Sequence, residues 1–321
     1  MNWKRKLEAS SRQPAFLWRM VLTIIGLGLV IGYFVQGPRV KDLAQVSQVV
    51  RSQGAPETLD ELASEGRWAE LWWKIPGRMW RRANRVGPLA LALVTGCCWF
   101  AFLWQVMRPP SWLGTHTWLA LAGVALGVLS IWPTLFLIYW QEYRWGMVES
   151  ESLVGGLRYY ILCVGLREEL AKLVCLLPLM PLLVRLRSEI AALMISACVG
   201  LGFALEENSV YFASKSGTEA LGRFLTANPM HMSLTGLVGL ACYRGLRDPG
   251  GWGPHAVATF GLAVVAHGLY DALIDVPALR EFALFGTILF ALVVYQFFRE
   301  LRELRGRGKD VVSLSATFLF G

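Results

Sequence analysis

From Pro88 to Phe298 the chain is a succession of apolar runs about 17–25 residues long, separated by short polar or basic stretches. A helix needs roughly 20 apolar residues to cross about 30 Å of hydrocarbon. Inside lipid, each spanning segment must also satisfy its own backbone N–H and C=O groups. Repeated runs of this length therefore specify an all-α fold, a polytopic transmembrane helix bundle. Composition agrees: 55% of the 321 residues are hydrophobic and 17% are charged, against about 25% charged in a soluble domain.

Eight spans are expected: Met20–Val35, Pro88–Met107, Trp118–Trp140, Tyr159–Leu183, Ile190–Phe212, Phe224–Tyr243, His255–Ile274 and Phe282–Phe298. The first is short and glycine-rich, with Arg19 at its edge; seven remain if it lies in the interface instead of crossing. No small-residue cleavage site follows it, so it is read as a retained helix and not a signal peptide. The chain then divides into a basic segment with that weak span (1–36), a polar segment (37–87), two spans (88–140), a four-span core (159–275), and a last span with a basic tail (282–321). In the polar segment, Thr58-Leu-Asp-Glu61 has the form of a capping box and starts a helix near Leu59. Trp68, Trp72, Trp73 and Trp80 then stand among Arg78, Arg81, Arg82 and Arg85, the pattern of a helix lying in the membrane interface.

The net charge of +8 is no nucleic-acid footprint, because the basic residues flank apolar runs. There they set orientation and touch anionic lipid, so the partner is a lipid bilayer and not a nucleic acid. All six cysteines fall inside apolar runs and read as small packing residues, neither a disulfide framework nor a Cys-based zinc site. Arg299, Arg302, Arg305, Arg307 and Lys309 place the C-terminal tail in the cytoplasm. Counting back puts the Arg185/Arg187 and Arg244/Arg247 loops on the same side, together with Lys4, Arg5 and Lys6. The same count leaves Arg78 to Arg85 outside. The expected location is a multi-pass position in a bacterial inner membrane.

Ionisable side chains in a bilayer cost a few kcal/mol each and mark function by default. Here they fall in four consecutive spans: Glu168, Glu169 and Lys172 in the fourth; Glu207 and Asn208 in the fifth; His231, just after Asn228, in the sixth; His267 and Asp271 in the seventh. Spans four and six enter from the side at which five and seven leave. At a rise of 1.5 Å per residue, Glu168 is roughly 14 Å deep, Glu207 roughly 8 Å, and His231 and His267 roughly 10 Å. Four polar groups on four helices thus share one level in the outer half of the bilayer. Singly, each has an ordinary reading as an ion pair or a helix-linking polar contact. Jointly, two Glu-bearing and two His-bearing spans at one depth exceed what packing needs. Glu168 and Lys172 share a helix face, as do Phe203 with Glu207 and His267 with Asp271. Lys172 can neutralise one carboxylate of the Glu168/Glu169 pair and leave the other free to act as a base. Asp271 can orient the His267 ring, and Asn208 and Asn228 can steady an oxyanion.

Glu168-Glu169-x-x-Lys172, Phe203-x-x-x-Glu207-Asn208, His231 and His267-x-x-x-Asp271 resemble, in order, the motif set of the PrsW family of intramembrane proteases. That family is distantly related to the CAAX-processing and bacteriocin-processing membrane proteases. The resemblance covers about Tyr159 to Asp275. It implies endopeptidase cleavage of a membrane-anchored protein substrate, in the founding case an anti-sigma factor cut at its extracytoplasmic side. In the wider superfamily the second motif carries His where this chain has Glu207, so that part falls to His231.

The expectation is a water-accessible cavity enclosed by spans four to seven. In it, Glu168 activates water, Glu207 and His231 position that water, and His267, oriented by Asp271, polarises the scissile carbonyl. Glu169 and Lys172 set charge and geometry. A glutamate intramembrane protease with no cofactor is preferred, since Lys172 would repel a nearby cation. The zinc alternative takes Glu168, Glu207, His231 and His267 as ligands, although no HExxH helix is present. The competing class is a proton-coupled transporter or channel built on the same Glu and His groups, against which stands the lack of an inverted repeat.

Overall fold

The computed structural model describes residues 58–83, 86–107, 114–214 and 217–318. The expected first span, Met20–Val35, lies outside the described residues. Among those described there are helices and no strands. In chain order they are α1 (Leu59–Ser64), α2 (Trp68–Ala83), α3 (Val86–Met107), α4 (Thr115–Leu129), α5 (Ile131–Trp145), α6 (Leu153–Tyr159), a π segment (Tyr160–Gly165) and α7 (Leu166–Leu176). A 3₁₀ turn (Leu177–Leu179) leads to α8 (Met180–Leu186), α9 (Glu189–Ser214), α10 (Gly217–Arg247) and α11 (Pro249–Asp275). A second 3₁₀ turn (Pro277–Phe282) precedes α12 (Ala283–Phe318).

Local chemistry sets many of these boundaries. The capping box forms as expected: Thr58 Oγ1 accepts from the Glu61 N–H and Glu61 Oε2 accepts from the Thr58 N–H. Ser152 caps α6, Ser188 accepts from the Ala191 N–H at the start of α9, and Asp248 caps α11 ahead of Pro249. Gly146 ends α5 at φ 62°, a conformation glycine adopts without strain. The expected third span is two helices in line, broken at Ser130. Pro133 has no N–H to donate to the carbonyl four residues back, which falls at the end of α4.

Five helical stretches are long and apolar enough to cross a membrane: Gly87–Gln105, Thr115–Trp145, Glu189–Phe212, Gly253–Asp275 and Pro277–Gly306. These five are counted among the described residues, and the expected count of about eight is not confirmed. The first expected span is outside the described residues, and the fourth and sixth are helical but fall short. The fourth is broken by the π segment and the 3₁₀ turn and carries Arg167, Glu168, Glu169 and Lys172; the sixth is diluted by Asn228, Pro229 and His231. The polar groups that weaken these two spans are those of the candidate site.

α9 is the central element. It packs against α10, α4 and α3, and Leu193, Met194, Ile195, Ala197 and Val199 along it are fully buried. At one end, Arg244 of α10 bonds Glu189 of α9 at 2.7 Å and Glu300 of α12 at 3.3 Å, tying three helix ends together. The Trp-rich helix α2 is not free on the surface. Trp68 and Trp72 pack on Trp132, Phe136 and Trp140 of α5, and Arg78 donates to the Tyr139 hydroxyl at 2.7 Å. Trp73 and Trp80 face outward, each 71% exposed.

Candidate functional site

Backbone contacts bring the motif helices together. A Cβ on Gly165 would meet the Val264 carbonyl oxygen, and one on Gly268 would meet Tyr160 O and Ile161 Cα. The π segment and α11 therefore touch main chain to main chain, which sets His267 beside Glu168 and Glu169. Gly200 does the same for α9 and α10, since a Cβ there would strike the carbonyl of His231. Small residues permit this approach between membrane helices. Gly268→Val should force α11 off the π segment and lower stability by about 1–3 kcal/mol, read as a fall in the thermal midpoint of purified protein.

The side chains then form one continuous network. Lys172, fully buried on α7, donates to Glu169 Oε1 at 2.7 Å and to His231 Nδ1 at 3.0 Å. Its Nζ also lies 4.3 Å from the centre of the Phe203 ring, and that ring packs on His231 at 5.0 Å. His231 Nε2 is 3.0 Å from Glu207 Oε2, while His267 Nδ1 is 2.8 Å from Glu169 Oε1. Glu168 Oε2 and Asp271 Oδ2 approach the other nitrogen of His267, at 3.5 and 3.4 Å. The Glu168 oxygen is buried and has no hydrogen-bond partner.

Donor and acceptor roles follow from the partners. An ammonium has only protons to give, so His231 Nδ1 accepts and its Nε2–H is donated to Glu207. A carboxylate only accepts, so His267 carries a proton on Nδ1 and turns Nε2 toward Glu168 and Asp271. The two histidines, with ring centres 5.0 Å apart, thus present opposite faces of the same chemistry.

Glu168, Glu169, Glu207, His231, His267, Lys172, Phe203 and Asp271 all converge, and Asn208 and Asn228 join through a 3.1 Å bond between their amides. Two details differ from expectation. Glu169, not Asp271, takes the Nδ1 proton of His267, because α7 lies closer to that edge of the ring. The amides of Asn208 and Asn228 are turned toward one another, leaving Asn228 Nδ2 buried and without a partner. The groups touch one another, and Glu168, Glu169, His231 and His267 are all buried. Among the described residues the network reaches the surface along one edge, where the side chains of Glu207, Arg223 and Asp271 are 20, 22 and 25% exposed.

Arg223 was not anticipated. It donates to Glu207 Oε2 at 2.6 Å and Asn208 Oδ1 at 2.9 Å, and lies 3.6 Å over the Tyr211 ring. Two spacings carried the signal: Arg223 stands eight residues before His231, and Tyr211 four after Glu207, each pair on one helix face. A separate cleft, lined by Ile138, Glu142, Val148, Tyr159 and Arg167 among others, opens beside the residue that precedes Glu168.

The donor chemistry accommodates a metal ion. One ligand atom from each of Glu168, His231 and His267 lies within 4.8 Å of the others. The unpartnered Glu168 oxygen and the Glu169-backed His267 ring are what a bound cation requires of its ligands.

Residues 115–298 match a family model described as PrsW family intramembrane metalloprotease. No curated protein and no solved structure matches the chain. The description of the family as metalloproteases gives no support to the expected preference for metal-free glutamate chemistry.

Proposed function

The chain belongs to the PrsW family of intramembrane metalloproteases, and on that premise we propose that it is an endopeptidase acting on a membrane-anchored protein in the outer half of the bilayer. The observation that carries this reading is the meeting of carboxylates and imidazoles from four helices in one buried network. The tail beyond Arg299 lies in the cytoplasm. The exposed edge at Glu207, Arg223 and Asp271 then faces the extracytoplasmic side, where α9 and α11 end and α10 begins.

Glu168 and His267, with a third donor, would hold the metal. When bound, such a cation polarises a carbonyl and makes water acidic enough to attack near neutral pH. The protein's own groups do the rest. Glu168 would be a donor to that ion and also the carboxylate within hydrogen-bond reach that takes the proton of the attacking water. Glu169 fixes the His267 tautomer. Lys172 pairs with Glu169 and holds His231, and Arg223 pairs with Glu207, the acceptor for the His231 Nε2–H. Substrate reaches Glu168 from the exposed edge at Glu207, Arg223 and Asp271. A transporter reading has no support in the family match.

Co-expression with single-pass membrane proteins tagged at both ends tests the proposal. Wild type should yield two tagged fragments on an immunoblot, with the new terminus within the outer half of the span, and His267→Ala should yield none. Fragments of equal amount with His267→Ala would count against it.

A further inference from the structure

Arg167 has no part in the cleavage chemistry, yet its burial needs a cause. The residue is 7% exposed and lines the cleft beside α5. Among the described residues its guanidinium makes one hydrogen bond, from Nη1 to Gln141 Oε1 at 3.3 Å, and its Nε is buried without a partner. Glu168 and Glu169, next along the chain, turn to His267 and Lys172 instead. A guanidinium carries five N–H donors, and burying one without a counter-charge is costly. The group calls for an anion.

Its position suits one that comes from the membrane. Side chains on a helix lean toward its N-terminus, and the Arg167 guanidinium lies 6.0 Å from the centre of the Tyr159 ring, a full π segment back. Its partner Gln141 stands in the last turn or so of α5, which ends at Trp145. The charge therefore sits at the ends of two helices, level with exposed Tyr143 and Trp145, the aromatic types of a membrane boundary. Exposed Leu162, Leu166 and Leu170 run down the segment that bears Arg167, and exposed Val148 lines the cleft itself. Acyl chains have apolar ground there.

The cleft measures about 180 Å³, many times the roughly 15 Å³ that one water needs. Glu142 and Glu149 line it together with Arg167. Glu142 is exposed, and Glu149 accepts from the Tyr160 hydroxyl through Oε1, which leaves Oε2. A simple anion would meet Arg167 but lie against both carboxylates, and a simple cation would leave Arg167 unpaired. A phosphodiester joined to an ammonium satisfies all of them.

We propose that this cleft binds one phospholipid with a primary-amine headgroup, its phosphate on Arg167 and its ammonium on Glu142 and Glu149. On the orientation given above, the lipid comes from the extracytoplasmic leaflet. The site stands apart from the protease reading, because its charged groups are not those of the Glu168–His267 network.

Full-length protein, purified in detergent and stripped of lipid, is titrated with phosphatidylethanolamine or phosphatidylglycerol of the same acyl chains and followed by native mass spectrometry. Wild type should hold one phosphatidylethanolamine at least about tenfold more tightly than phosphatidylglycerol, the worth of one charge-assisted hydrogen bond. Arg167→Gln should weaken both lipids by about tenfold or more, with the thermal midpoint recorded alongside. Glu142→Lys, at an exposed position, should turn the preference toward phosphatidylglycerol, and it decides alone if Arg167→Gln does not fold. Lipid affinity equal in Arg167→Gln and wild type would overturn the site. So would equal binding of the two lipids by wild type, or a preference that Glu142→Lys leaves unchanged. Phosphoethanolamine without acyl chains is the last probe. Displacement of the lipid by an equal concentration of it would make a soluble phosphate ester the ligand and overturn the lipid assignment, as would a peptide co-purifying in place of lipid.

Discussion

Glu168→Gln is expected to lower the rate of peptide-bond cleavage by about 10²–10⁴-fold, the usual worth of a positioned proton-transfer group, while the protein folds as before. The fold should survive because Glu168 Oε2 makes no hydrogen bond in the structure, so an amide of the same shape breaks none. Activity should not survive, because a glutamine can neither take a proton from water nor offer a cation a full negative charge. The measurement is single-turnover product formation by purified enzyme in detergent, with the thermal midpoint recorded alongside. Retention of more than about a tenth of the wild-type rate would remove Glu168 from the chemistry.

Lys172→Met should be the most destabilising single change in the network. The ammonium and its Glu169 partner are 0 and 1% exposed, so solvent cannot take over when the cation is removed. Breaking a buried pair by deleting one partner costs about 3–5 kcal/mol, mostly from the charge left behind. Replacing both partners is far milder, so Lys172→Met with Glu169→Gln should recover most of the loss. His231 also loses its donor in both variants, so the recovery reports on the pair itself. Unfolding followed in detergent would show it. Equal stability of Lys172→Met and wild type would mean that Glu169 is not ionised in the folded protein.

Much of the site was legible because a bilayer makes polar residues conspicuous. Parity and a fixed rise per residue were enough to set Glu168, Glu207, His231 and His267 at one level, and helix-face spacing grouped Phe203 with Glu207. Pairing was less legible. Which carboxylate meets His267 depends on how far α7 is turned about its axis, and that is set by Gly165 and Gly268 in contact with main chain. Nothing in the spacing of Glu168, Glu169 and Asp271 conveys that rotation. Arg223 escaped notice because an arginine at a span boundary ordinarily anchors a helix at the interface; here it turns inward to Glu207. The spans themselves were unevenly legible for a related reason. Apolarity was the criterion, and the fourth and sixth helices give it up to carry the polar groups of the candidate site.

The π segment, Tyr160–Gly165, fits more residues into each turn than the α-helices on either side of it. The helix that carries Glu168 is therefore two helices of different phase on one axis. The outer piece answers to the loop and turn beside it: Tyr160 donates to Glu149 at 2.7 Å, and Gly156 lies against Val276. The inner piece answers to α10 and α11, where Lys172 meets His231 and Glu169 meets His267. An unbroken α-helix would carry a single phase from end to end and could register with only one of these two sets of neighbours. The wide turn lets both be met, and it does so one helical turn ahead of Glu168 and Glu169.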